Sequence, residues 1–398
     1  MVSKKISKNN RYMLKGAFRK CGFDRWRLVM SGFSRSSGEE RTFFVEFYIL
    51  NPSVSPDEIV LGFKSRLAKT EADLQYALAG TQSAKTASEE LMVIPSYVMV
   101  KAGCYGLEGR QINSFFEASK LEIGHKEFII RCGTDRLASG GGAGACMLSD
   151  KGTKGTVNVS YSDLNEKPEL LCNAGQMDWD LHYDPSYSFE QDFTGKEINW
   201  NILGAATSVS GIIHLDGEEY QVVPKSSFGY FDKNWGKDFS SPFFHLSSSN
   251  LTSIITGKPL FKSCFAAQGA YNDSLTVCAK IDEHLVEFNA LKKKKYEITF
   301  DCSEMPKDDD GLKVHWTVSV NDRNFVLDID VFCPADAMFV RDYESPCGGR
   351  KVLKVLGGGT GTGEIRLYRK IKKNLELIEH ATVSNALCEF GNFEFPEV

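Results

Sequence analysis

The feature that most constrains this chain is an alternation of apolar and polar residues with period two, repeated along its length and punctuated by turn-forming residues. Val157-Asn158-Val159-Ser160-Tyr161 alternates, as do Leu275 to Ile281, Trp316 to Val320 and Glu364 to Leu367. Side chains at this period point to opposite faces of a strand, so each segment reads as a strand with one face buried and one wet. Asp216-Gly217 separates two such segments, and both residues tolerate positive φ, so the spacing predicts a tight hairpin. Asn321-Asp322 predicts a second, between Val314 to Val320 and Phe325 to Phe332. Aromatic residues make up 12% of the chain (27 Phe, 14 Tyr, 5 Trp), and with 35 Gly and 12 Pro this suits sheets better than helical bundles. Two short helices are expected, one capped by Thr70 and running through Leu74 and Leu78 to Gly80, the other over Ile112 to Phe116. No repeat of 20 to 50 residues indicates a solenoid or propeller. The expected fold is all-β, barrel or sandwich, divided near Pro224-Lys225-Ser226-Ser227 into units 1–224 and 225–398.

Charge and motif content then narrow the function. With 47 Lys+Arg against 52 Asp+Glu there is no excess of positive charge to neutralise phosphates, so nucleic acid is not the expected partner. No apolar stretch reaches the 18 residues of a membrane span, and the basic, polar start has no apolar stretch behind it; contact with a membrane would be peripheral. The 11 cysteines are scattered without a Cys-x-x-Cys, which reads as free thiols in a reducing cytoplasm, with no zinc ribbon. No Gly-x-x-x-x-Gly-Lys-Ser/Thr, Gly-x-Ser-x-Gly or His-x-x-x-His occurs, and no metal site is expected. The run Gly357 to Gly363 follows a strand, but a dinucleotide fingerprint must open a helix, so a bulged β-connection is expected there. Gly140 to Gly144 reads as a loop, and the charge runs Lys292 to Lys295 and Asp308 to Asp310 as solvated loops.

The densest polar and aromatic cluster is Phe228 to Phe239. Its local reading is a glycine-bracketed turn with Trp235 plugging a barrel and Asp232 bonding nearby backbone. Tyr230-Phe231-Asp232-Lys233-Asn234-Trp235-Gly236 also resembles the central motif of the tocopherol cyclase family and its relatives, the carotenoid 1,2-hydratases and other lipocalin-like double-barrel proteins. Tyr12 to Phe18 is similar to that family's first strand, with Ala17 where an aromatic is usual. Gly175 to Leu181 is similar to a strand carrying a Trp in the first barrel, and Gly363-Glu364-Ile365 and Cys388 to Gly391 to closing strands. The resemblance implies two calycin-type antiparallel barrels packed together and a cofactor-free pocket for a hydrophobic substrate. The implied chemistry is protonation of an alkene or enone, then capture of the cation by water or a phenol oxygen. This would be cyclisation, hydration or isomerisation of a prenylated phenol, a polyene or a flavonoid-like compound.

Such chemistry needs a carboxyl kept protonated by burial, with aromatic faces to stabilise a cation. Asp232 is the expected acid, with Tyr230 on the same strand face and Phe231 and Lys233 on the other. Trp235, Asn234, His245, Trp179 and Glu364 are the expected substrate-binding residues. Asp178, Asp180 and His182 share a face that reads as polar exterior over a core Trp179. Tyr97 and Tyr105 read as core. The rival reading is a non-catalytic carrier or sensor of hydrophobic ligands, in which local hydrogen bonds hold Asp232 ionised. A carbohydrate-binding sandwich would need exposed Trp platforms, which five Trp do not supply.

Overall fold

The structure is a computed structural model; it describes residues 10–62, 93–124, 127–133, 146–167, 170–189, 193–194, 197–225, 228–270, 274–288, 297–349 and 351–394. The expected helix at Thr70, the loop at Gly140 and the Lys292 run lie outside these residues. In chain order the first thirteen strands are β1 (Phe23–Ser34), β2 (Glu40–Leu50), β3 (Tyr97–Tyr105), β4 (Arg110–Phe116), β5 (Leu121–Ile123), β6 (Ile129–Cys132), β7 (Cys146–Ser149), β8 (Gly152–Val159), β9 (Gly175–Tyr187), β10 (Phe193–Thr194), β11 (Ile198–Leu215), β12 (Glu218–Val222) and β13 (Gly229–Gly236). They form one sheet whose main path runs β4-β3-β2-β1-β12-β11-β9-β8-β7-β6-β5, with β13 bonded to β1 and β11. This sheet curls until β4 comes alongside β8. One short helix, α1 (Tyr161–Glu166), joins β8 to β9 through a capping box of Ser160 and Asp163.

The remaining strands are β14 (Phe243–Ser248), β15 (Asn250–Ser253), β16 (Cys264–Ala270), β17 (Ser274–Ile281), β18 (His284–Phe288), β19 (Glu297–Glu304), β20 (Lys313–Asn321), β21 (Phe325–Pro334), β22 (Phe339–Glu344), β23 (Val352–Ile371) and β24 (Asn374–Glu394). They form a second sheet with the path β18-β17-β16-β14-β24-β23-β21-β20-β19, β15 pairing with β24 and β22 with β23. The fold is all-β, two curled antiparallel sheets packed on each other.

Both hairpins form where the turn residues require them. Asp216 and Gly217 have φ of 50° and 88° and join β11 to β12 with no intervening residue. A Cβ on Gly217 would touch nothing within 4 Å, so only its backbone conformation resists substitution. Gly217→Ala is therefore expected to lower stability by about 1 kcal/mol, read from the midpoint of urea unfolding. The glycine run lies inside β23, where the pairing with β24 shifts register between Gly358, Gly361 and Gly363, the bulged connection expected of it.

Two expectations are corrected. Ile112 to Phe116 lies in β4 and not in a helix, because its residues pair with β3 from Val98↔Phe116 to Cys104↔Arg110. Tyr12 to Phe18 is not a strand; it leads into a single 3-10 turn at Gly16–Arg19, and the first strand begins at Phe23. The Tyr230 to Gly236 segment pairs within the first sheet, and the chain passes to the second sheet between Gly236 and Phe243. The segment's backbone groups are taken by β1 (Arg27↔Asp232) and by β11 (Ile202↔Asp232).

Candidate functional site

The strands of the first sheet that face the second are buried on both sides. In β1, Trp26, Leu28 and Met30 enter the core of the first sheet, while Val29 turns to a cluster that includes Cys264, Ala266 and Leu387 of the second. In β2, Phe43, Val45 and Phe47 point inward; Phe44 and Tyr48 point to the seam between the sheets. Arg25 and Arg27 have the seam parity of Val29, and Glu46 that of Phe44. From the other side His245 shares the parity of Phe243 on β14, and Glu389 that of Leu387 on β24.

These positions assemble a chain of charges at zero or near-zero exposure. Arg27 donates to both oxygens of Asp232, Nε to Oδ1 at 3.1 Å and Nη2 to Oδ2 at 2.7 Å. Its Nη1 donates to Glu389, whose other oxygen accepts from Arg341. Arg341 and Arg25 flank Glu46 at 3.6 Å and 3.9 Å, and Tyr343 donates to Glu46 at 3.0 Å. Asp232 Oδ2 also accepts from Trp200 Nε1 at 3.1 Å and from the Tyr230 hydroxyl at 3.0 Å. His245 Nε2 lies 3.3 Å from Arg27 Nη2, and its Nδ1 lies 3.2 Å from Gln268 Oε1. A guanidinium only donates, so Nε2 must accept and the ring proton sits on Nδ1.

Burial alone would raise the Asp232 carboxyl, but the guanidiniums of Arg27 and Arg25 act more strongly and hold it below the ordinary value. Glu46 is lowered against its burial in the same way, by Arg25 and Arg341. Burial and then Arg27 push His245 well below 6.5, so it is neutral, and burial with Asp232 pushes the Tyr230 phenol well above 10. Asp232 is thus an anion here, whereas the acid expected from the sequence would be protonated.

For His245 the sign of the linkage is fixed. A folded pKa below the unfolded one gives stability that is complete above about 6.5 and is lost as pH falls, by up to about 1.4 kcal/mol per pH unit. Asp24, pushed up to about 6 by burial, acts in the opposite sense below about 6. The expected result is therefore read as a difference: from pH 7 to 5, unfolding free energy falls more steeply in the wild type than in His245→Gln.

The other face of the motif serves the first barrel. Lys233 is fully buried, 2.8 Å from Asp24, with its ammonium 4.3 Å from the Trp26 ring centroid and 4.9 Å from that of Trp235. Burial brings Lys233 down to about 8. Lys233 donates to the Arg11 carbonyl, Trp26 to that of Asn10 at 2.9 Å, and Asp24 accepts from the Met13 amide at 2.7 Å, so residues 10–13 are strapped across the barrel end. A cavity of about 720 Å³ opens there beside Leu14, Leu121, Arg11, Lys15 and Arg19, and another of about 500 Å³ lies by Pro224, Phe228 and Phe261. Asp232 lines neither.

Of the expected site residues, the seam brings together Asp232, Tyr230, Asn234 and His245; Asn234 accepts from Arg25 at 2.7 Å. Trp235 is on the opposite strand face. Trp179 lies in the core of the first sheet, its Nε1 donating to Thr153 at 3.0 Å. Glu364 is half-exposed on β23 with Arg366 and His380. Asp178 is half-buried beside His214, Asp180 is exposed beside Lys154, and His182 is exposed. Sequence reasoning missed Arg25, Arg27, Glu46, Arg341 and Glu389. The available signal was ionisable residues inside otherwise apolar strands, as in Phe43-Phe44-Val45-Glu46-Phe47-Tyr48.

Among the described residues no group of three or more His, Cys, Asp or Glu comes together as a metal site, and no helix is long and apolar enough to cross a membrane. No protein-family model matches the chain, and no curated protein matches it. Among solved structures it is similar to a candidate AttH protein from Nitrosomonas europaea, with 10% identity, 94% of each chain covered and a TM-score of 0.43. It is also similar to kievitone hydratase from Nectria haematococca, with 10% identity, 92% of this chain and 88% of that chain covered, and a TM-score of 0.42.

Proposed function

We propose that the protein takes a hydrophobic, oxygen-bearing small molecule into the seam and acts on it by acid–base chemistry without a cofactor, as a hydratase or isomerase would. The observation that carries this reading is a set of donors left over in an aromatic enclosure. The Tyr105 hydroxyl and Arg341 Nε are buried without a hydrogen-bond partner, and the Arg341 guanidinium lies 5.4 Å from the Phe44 ring centroid and 5.7 Å from that of Tyr105. Buried donors without acceptors are costly, and a phenol or enone oxygen would satisfy both.

With the substrate oxygen held there, Tyr230 is the proton donor to carbon and neutral His245 accepts a proton from water, while Asp232 and Arg27 remain a fixed ion pair that orients the phenol. Addition of water then puts one proton and one hydroxyl across the double bond, and transfer of the proton from His245 back to the Tyr230 phenolate restores both groups. The carrier reading draws support from the anionic state of Asp232, and turnover separates the two. Wild type and Tyr230→Phe would be incubated with prenylated phenols, polyenes and flavonoid-like enones. The expected result is a mass change of 18 Da or an isomeric product in at least one class, slowed about 10²-fold in Tyr230→Phe at nearly unchanged melting temperature. Binding without conversion would establish the carrier, and no binding by any class would remove both.

A further inference from the structure

We propose that Cys21 and Cys347 form a peroxide-responsive dithiol whose oxidation ties the entry to β1 to the turn between β22 and β23. Their sulfurs are 3.5 Å apart across 326 residues of chain. Cys347 is exposed and Cys21 half-buried. One side chain holds the neighbours of both: Asn51 accepts from the Gly22 amide at 2.8 Å and donates to the Pro346 carbonyl at 2.7 Å. The pair is therefore set in place by buried hydrogen bonds and not by an accident of two mobile surface groups. A disulfide needs the sulfurs at about 2 Å, an approach of about 1.5 Å. Cys347 can supply it by rotating its own side chain, which is exposed to solvent between the buried Pro346 and Gly348.

The chemistry is a two-electron oxidation by a hydroperoxide. The Cys347 thiolate attacks the terminal peroxide oxygen, the O–O bond breaks, and the alcohol leaves with a proton, giving a sulfenic acid. Cys21 then attacks that sulfur; the S–S bond forms, the S–O bond breaks, and water leaves. Two thiols lose two electrons and the peroxide becomes an alcohol and water. The order follows from access: Cys347 meets solvent, whereas burial and the Cys347 thiol raise Cys21 to about 11. Two other close pairs, Cys132 with Cys146 and Cys333 with Cys388, are buried and closed to a peroxide. This inference does not depend on the proposed catalytic role of the seam, although a bond here would fasten the two sheets at its edge.

The test uses the full chain, reduced and then exposed to hydrogen peroxide, with free thiols blocked before intact-mass and peptide analysis. The expected result is a loss of about 2 Da, a cross-linked peptide pair containing Cys21 and Cys347, reversal by dithiothreitol, and a melting temperature several degrees higher in the oxidised form. Cys347→Ser should abolish the product, and Cys21→Ser should leave a sulfenic acid on Cys347 that dimedone traps. A cross-link mapping to another pair, a product that persists in Cys347→Ser, or over-oxidation of Cys347 with Cys21 present and no bond formed would each overturn the proposal.

Discussion

Glu389→Gln is expected to lower the unfolding free energy by about 3–5 kcal/mol, read from chemical denaturation with an unchanged slope. Glu389 accepts from Arg27 with one oxygen and from Arg341 with the other, and all three side chains have zero exposure. An amide keeps the shape but turns an N–H toward a guanidinium and removes the charge between two buried cations. Arg27 retains Asp232 and Arg341 retains Glu46 at 3.6 Å, which sets the loss at the cost of a broken pair and not of two isolated ions. The contrast is Glu364→Gln. That carboxylate also meets an Arg and a His, but at 38% side-chain exposure, where solvent screens the pair and the midpoint should hardly move.

Lys233→Met should cost about 3 kcal/mol at pH 7, since it leaves Asp24 buried without its partner and frees the Arg11 carbonyl. Asp24 would then take up a proton at a higher pH than the value of about 6 it has beside Lys233. The double variant Asp24→Asn with Lys233→Met removes both charges and keeps an acceptor for the Met13 amide, so most of the loss should be recovered. A double variant as unstable as Lys233→Met would show that lost packing between Trp26 and Trp235, and not charge, causes the effect.

How much of this was legible in the sequence follows from which strands have one wet face. Segments such as Trp316 to Val320 alternate because one side meets solvent, and the burial of β20 repeats that alternation. The β2 strand, buried from Thr42 to Leu50, carries no alternation to read. Ile112 to Phe116 was open to a helical reading because five residues are too few to separate the two periods, and pairing with β3 decided it. The motif strand was found, and its parity correctly put Tyr230 and Asp232 together. Its surroundings were not legible, because Arg27 and Glu389 are 205 and 157 residues from Asp232. Without them the carboxyl looked like a desolvated acid; with Arg27 beside it, it is an anion.

The separation of the seam partners also sets an order of events during synthesis. Arg27 and Glu389 are 362 residues apart, so at roughly 5 to 20 residues per second the arginine leaves the ribosome roughly 20 to 70 s before the carboxylate. Asp232 arrives earlier and neutralises Arg27 while the first sheet closes. Until β14 to β24 follow, that sheet presents Phe44, Tyr48, Tyr97 and Tyr105 with Arg25 and Glu46 on an uncovered outer wall. A nascent chain in this state is a client for a holding chaperone, and a gene truncated after Gly236 should yield aggregate instead of a free-standing barrel.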